Sequence, residues 1–261
     1  MDTPSTEITY TRSGEHIARV TLNRPQSRNA YNAAMVRHLD DIIKKTEEDR
    51  DIWVVILTGS GDKSFCAGAD LKEAFENGGT KLLSKHGGYQ PLQNIKRQKL
   101  WIAALNGDAF GGGFELALHC DFILSSAGIK LGLPEVRHSL LPLGGGIQKL
   151  VSSLPINLAR EIILSGEAID AERAFQLGII NHIVSRESLM ASAEHFATRL
   201  CRNAPLAVRA CNTLISEVNQ CSTSEWLQRC EEELSAIRSS QDYSDNQDAF
   251  IKKKIPLWHA K

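Results

Sequence analysis

No run of apolar residues approaches the roughly 18 that a membrane-spanning helix needs, so no span is expected. Charge of one sign is also missing. The formal net charge is −1, which gives no global field toward nucleic acid or an anionic membrane. The six cysteines (Cys66, Cys120, Cys201, Cys211, Cys221 and Cys230) form neither a CxxC pair nor a metal-ligand cluster. Several sit among apolar residues, so free thiols in a reducing cytosol are expected rather than a disulfide framework. The first residues, Met1 to Glu7, lack the basic region and apolar core of a signal peptide, and a cytoplasmic location is the expectation. GxSxG, HExxH, Walker A and GxGxxG motifs are all absent. The eight histidines show no metal-ligand spacing. No repeat or low-complexity tract occurs.

What is present is an ordinary globular composition, 42% hydrophobic and 23% charged over 261 residues, enough for one large domain or a domain with a small appendage. Ile8–Thr11 and Ile17–Leu22 alternate apolar and polar residues around Ser13-Gly14-Glu15 and read as a β-hairpin. From Asn32 to Glu48, Met35, Val36, Leu39, Ile42 and Ile43 fall at helical spacing. Trp53–Gly59 and Trp101–Leu105 are continuous apolar runs, the mark of strands buried on both faces in a parallel or mixed sheet. Further strands are expected at 121–125 and 179–184, and helices at 95–99, 147–150, 156–164 and 168–177. Residues 76–90 are polar and glycine-rich, a surface segment or lid. From 187 onward the pattern is helical throughout. The class is therefore α/β, a strand-rich core over 1–185 and a helical region over 186–261.

Three glycines, Gly111-Gly112-Gly113, stand between the Trp101–Leu105 strand and a helix that starts at Phe114-Glu115. Such a turn lets a ligand approach the main chain, and the free N–H groups of the helix start suit a negatively charged oxygen. The same glycines equally allow close strand–helix packing, with Glu115 as a first-turn acid favoured by the dipole. A second turn of small residues, Ala67-Gly68-Ala69, precedes Asp70, an N-cap candidate, and a second glycine run, Gly144-Gly145-Gly146, opens another helix. Two N–H groups, from Ala69 and Gly112, aimed at one carbonyl would form an oxyanion hole. Two carboxylates, Glu115 and Glu135, follow the turns, and such a pair divides proton work when its environments set the pKa values apart.

In these segments the chain resembles the enoyl-CoA hydratase/isomerase (crotonase) family. The likeness is carried by Leu22-Asn23-Arg24-Pro25 with Asn29-Ala30, by Phe65–Lys72, by Asn106–Ala117, by Asp121-Phe122-Ile123, and by Pro134-Glu135 with Gly145-Gly146 and Gln148-Lys149-Leu150. Ala171–Ala174, Leu177–Asn181 and Asn203-Ala204-Pro205 extend it over essentially the whole chain. The resemblance implies a spiral of ββα units with a helical C-terminal trimerisation region, assembled as a homotrimer or a hexamer of two trimers. It implies an acyl-CoA thioester substrate, its carbonyl held by the N–H groups of Ala69 and Gly112. Ala67, Ala69, Asp70, Leu71 and Lys72 would line the coenzyme, and Phe250 and Lys253 would reach it across a subunit boundary. Read without the resemblance, the run Lys252-Lys253-Lys254 is a solvated face. Glu115 and Glu135 match the catalytic carboxylates, separated by the 19 residues of the hydratases.

The implied reaction adds water across the 2,3 double bond of an enoyl-CoA, or removes it from a 3-hydroxyacyl-CoA. Coenzyme A is part of the substrate, and no metal, other cofactor or nucleic acid is called for. Double-bond isomerisation, dehydration of a carnitinyl- or branched-chain-type thioester, and a non-catalytic binding role on the same fold are the alternatives. One departure concerns the acyl side: Leu143 stands where many hydratases have a glycine beside the catalytic water.

Overall fold

The hairpin forms as its alternation requires. Strands β1 (Ile8–Arg12) and β2 (Ile17–Leu22) pair antiparallel, Ile8 opposite Leu22. The computed structural model describes residues 7–76, 82–86, 88–253 and 256–261, and the side chain of residue 248 lies outside that description. From β2 the sheet grows by parallel addition of β3 (Val54–Gly59), β5 (Leu100–Leu105), β7 (Phe122–Ser126) and β10 (His182–Val184). A second sheet runs β4 (Ser64–Cys66), β6 (Asp108–Phe110), β8 (Lys130–Gly132) and β9 (Ile169–Asp170). Successive strands thus alternate between the sheets, β3 then β4, β5 then β6, β7 then β8. Helices α2 (Leu71–Glu76) and α3 (Gly112–Leu118) follow the first two pairs. A 3-10 turn (Pro134–His138) and α4 (Gly146–Ser153) follow the third. This stacking of ββα turns is the expected spiral.

The unbroken apolar runs have a direct cause. Strand side chains alternate between faces. Val55 and Leu57 of β3, with Trp101, Ala103 and Leu105 of β5, point into the main core, against α1 (Ala33–Glu48). Val54 and Ile56, with Leu100, Ile102 and Ala104, point the other way, onto Leu189, Ala193 and Ala197 of α7 (Leu189–Cys201). Asn32 caps α1 by accepting from the Met35 N–H at 2.8 Å. After α5 (Ile156–Ser165) and α6 (Ala171–Gln176), the chain ends in α7, α8 (Pro205–Glu217), α9 (Thr223–Arg238) and α10 (Gln241–Ile251).

Two expectations need correction. Residues 95–99 are not helical. Their polar groups are taken by distant partners: the N–H groups of Gln98 and Lys99 donate to the Glu47 carboxylate at 2.7 and 3.2 Å, and Lys99 Nζ donates to the Asp49 carbonyl at 2.9 Å. The 76–90 segment is more than a surface lid. Residues 77–81 and 87 lie outside the described residues, but Ser84 and Lys85 hold Asp40 of α1 at 2.7 and 2.8 Å, and Gln90 is buried.

Candidate active site

The N-terminal turn after β2 sets the first backbone donor. Buried Asn29 donates through Nδ2 to the carbonyls of Ser60 and Ser64 at 2.9 and 2.8 Å and accepts from the Arg24 N–H at 2.9 Å. Arg24 in turn pairs with Asp70 at 3.1 Å. Tyr31 then bridges Ala69 in parallel register: Tyr31 N–H donates to Gly68 O at 2.9 Å and Asp70 N–H to Tyr31 O at 2.8 Å. In that pattern the flanking residues make the bonds, so the Ala69 N–H faces away from the bridge. The Asp70 carboxylate is committed to Arg24 and to the N–H of Lys72 at 3.2 Å.

Strands β5 and β6 deliver the second donor. Gly111 turns the chain with φ 53° and ψ −131°, and Gly112 begins α3, where its N–H has no acceptor within the helix. The two turns meet: a Cβ on Gly68 would lie 3.2 Å from Gly112 N. Side chains leave no room for one on Gly112 either. It would collide with Tyr31 Oη and stand 2.7 Å from Gln90 Nε2.

Glu115, one turn into α3, is only 3% exposed. Its Oε1 accepts from the Gly146 N–H at 2.9 Å. Burial pushes its carboxyl up to about 7. The Gly146 amide opposes the shift, the nearby charge of Glu135 adds to it, and the Gly144 amide opposes it again. Glu135 enters from the 3-10 turn after β8. Burial raises its pKa too, while its own backbone N–H and then His138 act the other way. Its Oε1 lies 3.0 Å from the Cβ position of Gly111, and its Oε2 is buried without a hydrogen-bond partner among the described residues. Sequence-distant Ala69, Gly112, Glu115 and Glu135 are thus gathered around one glycine turn. Two backbone N–H groups stand beside two carboxyls whose pKa values burial raises, Glu115 to about 7, an arrangement with the donors and proton carriers that enolate chemistry needs.

Three supporting residues escaped the sequence reading. Gln90 Nε2 donates to Tyr31 Oη at 2.8 Å and to the Gly112 carbonyl at 2.7 Å. Burial, then the proximity of Cys66 and of Glu115, raises the Tyr31 pKa well above its ordinary value, so the hydroxyl stays protonated. His119 follows Glu115 by one helical turn and contacts the Gly144 carbonyl at 2.7 Å. Neither Tyr31 nor Gln90 carries a local signal. His119 does, as a polar residue one turn beyond a buried glutamate.

The remaining candidates lie at the margin. Ala67 is bound through its N–H to Arg28 O at 3.0 Å. Leu71 and Lys72 are exposed on α2, and Leu143 is 45% exposed in the loop before α4. Phe250, 82% exposed, lies in the last turn of α10, and Lys253, with φ 52°, follows the helix and donates its N–H to the Phe250 carbonyl at 3.1 Å.

Comparison with known proteins places the site in context. The family described as enoyl-CoA hydratase/isomerase matches residues 12–261. A short-chain-enoyl-CoA hydratase of Clostridium acetobutylicum is 35% identical, covering 91% of this chain and 92% of its own. A carnitinyl-CoA dehydratase of Citrobacter koseri is 34% identical, covering 97% and 98%. The crystal structure of an enoyl-CoA hydratase from Mycobacterium marinum superposes with a TM-score of 0.92 at 33% identity, covering 98% of this chain and all of that one.

Proposed function

We propose that this chain, which belongs to the enoyl-CoA hydratase/isomerase family, hydrates the 2,3 double bond of an enoyl-CoA thioester and dehydrates the corresponding 3-hydroxyacyl-CoA. The observation that carries the reading is Glu135 Oε2, buried and unpartnered beside the Gly111–Gly112 turn, opposite a second buried carboxyl, Glu115.

The thioester oxygen sits between the N–H groups of Ala69 and Gly112. Water adds to the β-carbon, the C=C electrons move onto the carbonyl oxygen, and the two donors hold the enolate that forms. Glu115 orients the water and takes its proton. Glu135 gives a proton to the α-carbon as the enolate collapses. The departing and arriving protons balance, so the pair ends the cycle one proton out of place and restores itself by exchange with solvent. Running backwards, the same groups remove water. Coenzyme A enters as part of the substrate, and the steps use only protein groups.

A second reading, dehydration of a carnitinyl-type thioester, is favoured by the Citrobacter koseri relative and its near-complete coverage. Leu143, half-exposed at the loop that faces Glu115, supports a choosier acyl site. A panel of acyl-CoA thioesters, followed by the enoyl absorbance, separates the two. Turnover of crotonyl-CoA supports the first reading, turnover confined to the carnitinyl-type thioester supports the second, and no turnover of any thioester defeats both.

The same reading includes assembly of three or six copies. Ile215, Leu227, Leu234 and Phe250 are exposed on α8, α9 and α10, and α9 buries no residue within this chain. A second copy that covered them would also bring its own surface to Phe250 and Lys253, as the coenzyme-binding role of these residues requires. Sedimentation equilibrium tests this directly, and a monomer at micromolar concentration would contradict it.

A further inference from the structure

Glu115 in α3 and His119, the helical-conformation residue that caps its C-terminal end, project from one face four residues apart. Both reach the glycine loop that opens α4. Glu115 Oε1 takes the Gly146 N–H at 2.9 Å, and His119 Nε2 contacts the Gly144 carbonyl at 2.7 Å. The fit admits nothing larger than glycine. A Cβ on Gly144 would stand 2.5 Å from Glu115 Oε2, one on Gly145 2.5 Å from His119 Nε2, and one on Gly146 3.0 Å from Glu115 Oε1. Gly145 also holds φ 97°, which disfavours any other residue.

The geometry points to His119 as a positioning residue: its Nε2–H holds the Gly144 carbonyl so that the Gly146 amide stays on the Glu115 carboxylate. The consequence for turnover rests on the hydratase reading, whereas the clamp itself is a property of the helix and the loop.

A carbonyl oxygen only accepts, so Nε2 carries the proton. Burial pushes the ring pKa down to about 4; the Gly144 contact works against this, and the charges of Lys149 and Arg97 add to it. The groups around His119 are Glu115 on its own helix, Lys149 on α4, and Arg97, which donates to the His119 carbonyl at 2.7 Å and pairs with Asp121 at 3.3 Å. A ring that is neutral down to this range is present unchanged while Glu115 titrates. The clamp therefore does not switch with pH. What it controls is the ionisation of Glu115, because withdrawing the Gly146 amide removes a group that stabilises the carboxylate. The neighbouring Leu143 carbonyl is held separately by Gln93 Nε2 at 3.0 Å, so loss of the histidine frees the Gly144–Gly146 amides without releasing the whole loop.

The test uses His119→Met, which fills the space without a donor, and His119→Gln, whose amide reaches the same carbonyl. Glu115 ionisation is read by carboxyl 13C NMR on the full-length protein, with Glu115→Gln identifying the signal. The Met variant is expected to raise the Glu115 pKa by about half a unit or more, and the Gln variant to leave it near the wild-type value. With crotonyl-CoA, the acidic limb of kcat should move up in the Met variant and kcat fall about tenfold at unchanged KM, with recovery in the Gln variant. An unshifted Glu115 in the Met variant, or equal kcat losses in both variants without a shift, overturns the assignment. Ring 15N shifts of the wild-type protein test it without any substitution: the Nε2–H tautomer is expected, and Nδ1–H overturns it. The NMR arms decide the clamp even if crotonyl-CoA is not turned over, an outcome that would defeat the hydratase reading alone.

Discussion

Glu135 Oε1 stands 3.0 Å from the point where a side chain on Gly111 would begin. The two residues come from different ββα turns, so this approach is where the spiral turns sequence distance into a site. Gly111 also holds φ 53° and ψ −131°. Gly111→Ala is expected to cost about 1–3 kcal/mol in backbone strain and to displace the Glu135 carboxyl. Denaturant unfolding should show the loss of stability, and steady-state kinetics a kcat lower by about tenfold or more. Undiminished kcat would place Glu135 away from the reacting atoms.

Glu115 and His119 pull the pH dependence of stability in opposite directions. Burial raises Glu115 from 4.5 to about 7 in the fold. Between those values the folded protein holds a proton that the unfolded chain has released, so this group makes stability fall as pH rises through that window. His119 is lowered from 6.5 to about 4. Between these the unfolded chain binds the extra proton, so stability rises with pH. Each effect is on the order of 3 kcal/mol, and in the wild type they largely cancel. Glu115→Gln should therefore leave a stability that climbs from pH 4 to 6.5, and His119→Gln one that declines from 4.5 to 7. Urea unfolding at several pH values reads both slopes, and parallel curves for the two variants would contradict the burial of either group.

Gln90 ties Tyr31 to the carbonyl of Gly112. Gln90→Leu leaves both of those groups without their donor and is expected to destabilise by about 1–3 kcal/mol. Tyr31→Phe removes only one of the two acceptors and should cost about 1 kcal/mol. Unfolding midpoints give the comparison, and an equal or reversed order would show that the Gly112 carbonyl is not the important contact.

The sheet was legible because burial on two faces leaves a plain mark: β3 and β5 have no exposed side to carry polar residues. The turn at Asp70 and the glycine turn at Gly111 were legible because small residues and an aspartate mark such turns locally. Residues 95–99 were misread because Glu47 and Asp49, about fifty positions away, supply their hydrogen bonds. Strand β4 is three residues long, too short for a period to register. Among the site residues, the two glutamates and two backbone donors came from recognisable segments. Tyr31 and Gln90 act through contacts with the Ala69 and Gly112 turns and with each other across 59 positions, which no local pattern records.

The central claim is that Glu115 and Glu135 divide the proton work on one acyl-CoA thioester. Its most direct test is the rate of enoyl absorbance loss from crotonyl-CoA with the wild type, Glu115→Gln and Glu135→Gln, each checked for native circular dichroism. The account predicts turnover by the wild type and a kcat reduced by about 10²–10⁴ in each folded variant. Wild-type kcat in either variant would contradict it.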